Sequence, residues 1–244
     1  MEFWAHLLMP EANKYYQPGE QRAERVKDLF SAIAPRYDLL NDLQSFGLHR
    51  RWKRRLVKLA APQPGEGALD VCCGTGDIAL ALAQRGAEVT GLDFNPAMLA
   101  IAQKKVGNAA IRFVSGDAQA LPFPDRSFEI VTVGYGLRNL SDWKMGLREM
   151  WRVAKPGGRL LVLDFARPDN PVWRGLYFAY LRCVVPVFGK LFCGDAQAYA
   201  YILQSLKNYP AQHGVAEEMK ALQCSEVRII TFLGGVMSIN YGKK

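Results

Sequence analysis

The stretch Leu69-Asp-Val-Cys-Cys-Gly-Thr-Gly-Asp77 decides how the rest of the chain is read. It begins as a short apolar strand, turns through two glycines and runs into the helical pattern Ile78-Ala-Leu-Ala-Leu-Ala83. Such a turn leaves backbone N–H groups and a surface without side chains. Glycine belongs there because a Cβ would block a ligand pressed against the backbone. Gly74, Thr75 and Gly76 therefore mark a nucleotide-cofactor loop.

Gly74-x-Gly76-x-x-Ala79 fits the dinucleotide fingerprint, with Asp93 at the distance expected for a ribose ligand. The charges speak against a pyrophosphate. Asp70 and Asp77 bracket the loop, and Arg85, about two turns into the helix, is the nearby cation in sequence. A phosphate on the helix N-terminus would meet two carboxylates. S-adenosylmethionine carries no phosphate but a ribose, an adenine, an ammonium and a sulfonium, and acidic residues around the glycine turn suit it.

From Gly67 onward strand and helix alternate, the pattern of an α/β domain with a mostly parallel sheet covered on both faces. The spacing predicts a first strand over about 67–72 and a helix closed by Gly86. A second strand, Glu88–Asp93, precedes a helix over 97–106, capped by Asn95 and Pro96. Third and fourth strands fall at 111–114 and 128–133. Helix 141–154 carries Trp143, Leu147 and Met150 on one stripe. Lys155-Pro-Gly-Gly158 is expected to be a tight turn into a fifth strand, Arg159–Phe165. Ligands in such sheets sit beyond the carboxyl ends of the strands. Asp70, Asp93, Asp117 and Gly134 all fall there and can converge on one cleft.

Around this core, residues 1–20 form an arm and 21–244 a single domain. Helical periodicity starts at Arg22, places Val26, Leu29, Phe30 and Ile33 on one face, and stops at Pro35. Six of the ten residues from His49 to Lys58 are Lys or Arg. That helix reads either as a solvated face with Trp52, Leu56 and Leu59 packed inward, or as a membrane or RNA patch. Residues 171–193 are apolar and aromatic, punctuated by Arg174, Arg182 and Lys190, and read as a buried insertion, a lid over a greasy substrate, or an interfacial helix. Helices near 195–206 and 211–222 follow, then a terminal hairpin of strands 226–232 and 235–241.

Composition bounds the class. With 244 residues and 22% charged, one ordinary globular domain is expected. No uncharged apolar run approaches the ~18 residues that span a bilayer, and the start lacks the basic region and cleavage site of a signal peptide. The 5 cysteines include no Cys-x-x-Cys pair, and the 3 histidines, His6, His49 and His213, are scattered. No disulfide framework or metal site is expected, and the compartment reads as cytoplasmic. The net charge of +8 is compatible with an anionic membrane surface or with nucleic acid.

Together these segments resemble the ubiquinone/menaquinone biosynthesis C-methyltransferases of the class I S-adenosylmethionine-dependent (Rossmann-like) fold, from about Val26 to the C-terminus. The resemblance rests on Phe30-Ser-Ala-Ile-Ala-Pro-Arg-Tyr-Asp38, Asn41, Ser45-Phe-Gly47 and His49-Arg-Arg-Trp-Lys53. It continues through Asp117-Ala-Gln-Ala-Leu-Pro-Phe-Pro-Asp125, Gly136-Leu-Arg-Asn139 and Lys155-Pro-Gly-Gly-Arg-Leu160. The glycine loop and the Leu-Pro-Phe segment occur in many methyltransferases; the segments around Tyr37-Asp38, Trp52-Lys53 and Leu137-Arg138-Asn139 are more particular.

The resemblance implies donor contacts at Thr75, Asp93, Asp117 and Ala118, beside Asp70, Gly74 and Gly76. A further position, commonly serine, is Gly134 here. It implies C-methylation of a reduced demethylquinone, a naphthoquinol rather than a benzoquinol. Arg138 would stabilise the phenolate or orient a water acting as base, and Asn139 and Tyr37 would orient the ring hydroxyls. The implied acceptor is a lipophilic polyprenyl quinol, which gives residues 171–193 and 49–58 a shared purpose at a peripheral membrane surface, on the inner face of the plasma membrane. A homodimer is compatible with the chain. RNA methylation is disfavoured: Gly134-Tyr-Gly stands where an amine methylator carries Asn/Asp-Pro-Pro-aromatic, and no Pro-Cys serves a cytosine C5 enzyme. A non-enzymatic assembly subunit would not need Asp93, Asp117 and Arg138 intact.

Overall fold

Seven strands form one sheet: β1 (Gly67–Val71), β2 (Glu88–Asp93), β3 (Ile111–Ser115), β4 (Phe128–Gly134), β5 (Ala154–Phe165), β6 (Glu226–Phe232) and β7 (Met237–Lys243). Their order is β3-β2-β1-β4-β5-β7-β6. The first five are parallel, and β7 runs antiparallel between β5 and β6. The order reverses between β1 and β4, so a crevice opens above their carboxyl ends. The computed structural model describes residues 22–107, 109–186 and 197–244. The expected arm and the 187–193 part of the insertion lie outside them.

Three helices start where the sequence supplies a side-chain cap. The Asn95 side chain accepts hydrogen bonds from the Ala97 and Met98 amides and opens α5 (Pro96–Val106). Asp142 does the same for α6 (Trp143–Val153) and Asn170 for α7 (Pro171–Cys183). Asp77 opens α4 (Asp77–Ala83), the helix of the glycine loop. Upstream lie α1 (Arg22–Ile33), a 3-10 turn over Ala34–Arg36, α2 (Tyr37–Ser45) and α3 (Leu48–Ala60); downstream, α8 (Gln197–Asn208) and α9 (Ala211–Ala221).

One sheet face packs Leu147 and Met150 of α6 and Val215 and Met219 of α9 against Val131, Leu160 and Val162. The other packs Trp52 and Leu56 of α3 and Ile78 and Leu82 of α4 against Ile130, Leu161 and Ile239. A third cluster joins Leu29 and Ile33 of α1 to Tyr177 and Leu181 of α7 and Leu206 of α8. Leu56 is fully buried, so truncation to alanine would cost about 2–5 kcal/mol.

One expectation is corrected. Lys155–Gly158 is not a turn preceding the fifth strand; β5 begins at Ala154, straight out of α6. Phe128 pairs with Ala154 and Ile130 with Arg159, so the four residues bulge out between two paired positions. Gly157 takes φ +78° there and its amide donates to the Lys244 carbonyl, which closes the bulge against the C-terminus.

Candidate active site

A cavity of about 170 Å³ opens over the carboxyl ends of β1, β2 and β4, lined among others by Gly74, Asp93, Asp117, Ala118, Tyr37 and Asn139. Gly74 takes φ +54° and nothing lies within 4 Å of where its Cβ would stand. The open space is the cradle a side chain would fill. Asp93 accepts from the Gly74 amide at 2.8 Å and the Asn95 amide at 2.9 Å. Its carboxylate still has lone pairs for ribose hydroxyls. Burial raises its pKa, against those amides. This residue set fits an adenosyl donor without phosphates.

The roof is the amino-terminal segment. Asn95 donates through Nδ2 to the Lys27 carbonyl at 2.9 Å and to Ser31 Oγ at 3.0 Å, so the cap of α5 also fastens α1. Val26 and Phe30 of α1 line the cavity. Thr75 donates its hydroxyl to Asp38 at 2.7 Å. Lys105 Nζ meets Asp38 and Asp77 at 2.5 Å each, and Lys53 Nζ meets Asp77 at 2.7 Å. These contacts correct the expectation that Arg85 is the cation nearest the loop. Two lysines remote in sequence reach it and neutralise the two carboxylates. Burial opposes ionisation of Asp77, yet Lys53 and Lys105 hold its pKa down to about 2.

The anticipated residues therefore fall into three places. Gly74, Asp93, Asp117, Ala118, Tyr37 and Asn139 stand on the cavity wall. Asp70 and Thr75 line a small polar pocket behind the loop. Gly76 and Arg138 stand behind these walls. Asp70 accepts from the Ala79 amide at 3.1 Å and from Thr132 Oγ1 at 2.8 Å, so it ties the start of α4 to β4. Burial lifts its pKa to about 7 despite both bonds. Gly76 packs on α5, where a Cβ would sit 3.2 Å from that of Ala102.

Arg138, in the 3-10 turn after β4, is buried. Its Nη1 donates to Asp164 at 2.7 Å and to the Tyr135 carbonyl at 2.6 Å; Nη2 donates to Tyr201 Oη at 3.2 Å. The guanidinium carbon lies 4.7 Å from the Phe165 ring centroid. Asn139 donates to the Tyr135 carbonyl, while its Oδ1 is buried without a partner. Tyr37 stacks edge-on against Phe30, 6.0 Å between centroids, and burial pushes its hydroxyl above the ordinary range.

Tyr135, in left-handed backbone at φ +63°, belongs to two walls. It lines the first cavity and a larger chamber of about 400 Å³ between α2, α3 and α7, whose lining includes Phe46, Trp52, Phe165, Leu176 and Tyr180. Sequence reading did not find that chamber, because it is assembled from six separate stretches of the chain. It also missed Asp164, at the end of β5 like Asp70 and Asp93 at theirs. Lys53 stands in a segment that the resemblance singles out, but its bond to Asp77 of the glycine loop was not foreseen; its i,i+4 spacing from His49, between Trp52 and Leu56, was the available signal.

A model of the ubiE/COQ5 methyltransferase family matches residues 18–244. The chain belongs to that family. A demethylmenaquinone methyltransferase of Listeria welshimeri is 41% identical over 92% of this chain and 98% of its own. One of Desulfitobacterium hafniense is 40% identical over 93% and 92%. Among solved structures, an S-adenosylmethionine-dependent methyltransferase of Aquifex aeolicus superposes with a TM-score of 0.57 at 16% identity, covering 78% of this chain and 88% of that one. A Thermotoga maritima methyltransferase reaches 0.60 at 17% identity, over 89% and 99%. At that identity the likeness shows the fold, the seven-stranded class I arrangement expected from the sequence. Family and fold together make the chain a methyltransferase with S-adenosylmethionine as its methyl donor.

Proposed function

We propose that this chain transfers a methyl group from S-adenosylmethionine to a ring carbon of a reduced demethylmenaquinone. The observation that carries the reading is Tyr135, one residue on the walls of both the cavity that holds Asp93 and Asp117 and a larger apolar chamber. A flat aromatic acceptor reaching past Tyr135 would bring its ring edge to the donor while its tail stays among aromatic side chains. The naming of the relatives as demethylmenaquinone methyltransferases supports the same acceptor.

S-adenosylmethionine, when bound, supplies a methyl on a positively charged sulfur. The chain's residues do the rest. Asp93, Asp117 and Ala118 hold the adenosine end, with Gly74 giving close backbone approach. Thr75 acts one step removed, through its bond to Asp38. Arg138, fixed by Asp164, projects a positive field toward the place where oxygen charge develops, and Asn139 offers an unpaired Oδ1 to a ring hydroxyl. Tyr37 closes the roof.

The chamber's mouth supports membrane docking. Phe46, Trp173, Leu176 and Leu233 line it and are exposed, Phe46 to 82%. Arg51, Arg54, Arg55 and Lys58 lie exposed on the helix that follows Phe46. Among the described residues no helix is long and apolar enough to cross a membrane. The chain would rest on an anionic surface and draw its quinol from there.

The test is methyl transfer from labelled donor to reduced demethylmenaquinol, with a demethyl benzoquinol and bulk RNA in parallel. Label in the naphthoquinol alone is expected. Label in both quinols would remove the ring preference, and label in RNA alone would overturn the reading.

A further inference from the structure

The apolar chamber is not uniformly apolar. Among the described residues, four buried polar atoms of its lining have no hydrogen-bond partner: Gln44 Nε2, His49 Nδ1, Tyr135 Oη and Tyr177 Oη. An unpaired buried polar atom costs about 1–3 kcal/mol, and side chains carrying four of them line this one chamber. Of the four, only His49 carries a basic lone pair.

Its surroundings fix which nitrogen carries the proton. His49 Nε2 stands 2.8 Å from Asp42 Oδ1, and Asp42 is held in turn by Arg50, Nε to Oδ1 at 2.7 Å and Nη2 to Oδ2 at 2.5 Å. A carboxylate facing Nε2 places the proton there and leaves Nδ1 as the acceptor. The same helix face carries Lys53 one turn on. Its Nζ lies 5.9 Å from the Tyr135 ring centroid and bonds Asp77 of the glycine loop. His49 thus stands one helical turn from a residue touching both Tyr135 and that loop.

Resting on the function proposed above, we infer that His49 is the general base of the methyl transfer, oriented by Asp42. In that step the O–H bond of the ring hydroxyl ortho to the attacked carbon breaks and its proton passes to Nδ1. The ring carbon forms a bond to the methyl as the carbon–sulfur bond breaks, with its electron pair going to sulfur. The methylated carbon then loses its own hydrogen as a proton and the oxygen regains one, so one proton is released per turnover. Burial, with Lys53 on the same helix, lowers the His49 pKa against the pull of Asp42 and Asp77, which keeps the imidazole neutral at pH 7. Tyr135 and Tyr177, which line the same chamber, are raised by burial and stay uncharged.

The test uses two variants of the full chain. His49→Gln keeps a donor toward Asp42 and removes the Nδ1 base; His49→Asn leaves a polar atom near Nδ1 that cannot take a proton. Donor affinity by calorimetry should stay within about twofold in both, since neither touches the donor cavity. Turnover of reduced demethylmenaquinol at pH 7 should fall ~100-fold or more, the usual contribution of a general base. In the wild-type chain kcat/KM should fall with acid along a limb below the ordinary imidazole value of 6.5. Both variants should lack that limb and regain rate as pH rises toward the hydroxyl's own pKa of roughly 10. Asp42→Asn, a positioning change, should lose rate and move the limb without abolishing it. Variants within threefold of the wild-type rate, with its pH profile unchanged, would overturn the base while leaving the proposed function standing. A wild-type chain inactive on quinols would overturn both.

Discussion

Arg138 and Asp164 form an ion pair shut off from water: Nη1 lies 2.7 Å from Oδ1 and each side chain is 3% exposed. Asp164 also accepts from the amides of Arg138 and Phe165, so one carboxylate holds both the charge and the backbone of the turn after β4. Breaking such a pair from one side costs about 3–5 kcal/mol, whereas replacing both partners by apolar groups of similar size is often neutral. Asp164→Asn should therefore lower the melting temperature sharply. Arg138→Met combined with Asp164→Leu should recover at least half of the loss while methyl transfer stays at least ~100-fold down. Recovery of activity with stability would remove Arg138 from catalysis. Arg138→Ala should reduce turnover far more than donor binding; equal loss of both would assign it a role in the fold alone.

The glycines after β4 separate a tolerated position from a forbidden one. A Cβ on Gly134 would come 2.5 Å from Ile78 Cδ1, the free end of a side chain that can turn aside. A Cβ on Gly136 would come 2.4 Å from Cys72 Cβ, which sits against the backbone at the end of β1. Gly134→Ser should cost about 1 kcal/mol and Gly134→Ser with Ile78→Val nearly nothing. Gly136→Ala should cost several times more and lower donor affinity, because β1 and β4 must part where the cavity opens. Thermal melts and donor titrations distinguish the two.

These positions also show what sequence could and could not convey. The β1–loop–α4 unit was legible because a strand, a glycine turn and a helix are local events. So were the Asn95 cap and the strand-end carboxylates Asp93 and Asp117, whose placement follows from topology. The pairing of Lys53 and Lys105 with Asp77 was not, since it joins α3, α5 and the loop only after folding. Asp38–Thr75 and Lys53–Tyr135 depend likewise on how the amino-terminal helices are laid over the sheet. The 155–158 bulge was misjudged because Pro-Gly-Gly has the chemistry of a turn; only the register with β4 distinguishes a turn from a bulge.

Asp77 gives an acid-stability signature. Its carboxyl, held at about 2 against an ordinary 3.8, contributes stability above the unfolded value and loses it as pH falls through the folded one. The contribution is at most about 2 kcal/mol, reduced by partial exposure to solvent. Asp77→Asn should be less stable than wild type at pH 7 by part of that amount. The difference should shrink between pH 4 and pH 2, the window set by those two values. Urea titrations at pH 7 and pH 2.5 measure it, and an undiminished difference at low pH would mean the lysines do not act on this carboxyl.

Thr75 separates direct from indirect donor binding. Its hydroxyl donates to Asp38 and receives Lys105 at 3.1 Å, so its influence on the donor runs through the roof. Thr75→Val removes both hydrogen bonds, each worth about 1 kcal/mol, and should weaken donor binding about fivefold. Asp38→Asn should weaken it similarly, and the double variant should be little worse than either alone, because both break the same fastening. Additive losses would mean that Thr75 meets the donor itself.

Membrane docking rests on side chains that the chemistry does not require, and this makes it separable. Phe46 and Leu176, exposed at 82% and 59%, flank the chamber mouth. Inserting such side chains gains about 25 cal/mol per Å² of apolar surface covered, and each basic residue near an anionic surface adds about 1 kcal/mol. Phe46→Glu with Leu176→Glu reverses both contributions at the rim, placing charges where lipid should lie. The double variant should no longer co-float with anionic vesicles and should lose most activity on vesicle-borne quinol. It should keep its rate on a water-soluble quinol with a truncated tail, since the buried walls around Tyr135 are unchanged. Wild-type binding should also weaken as salt rises, because Arg51, Arg54 and Arg55 contribute through a screened field. Equal loss on both substrates would place Phe46 and Leu176 in substrate binding instead, and vesicle binding unchanged by the double variant would put the membrane on another face.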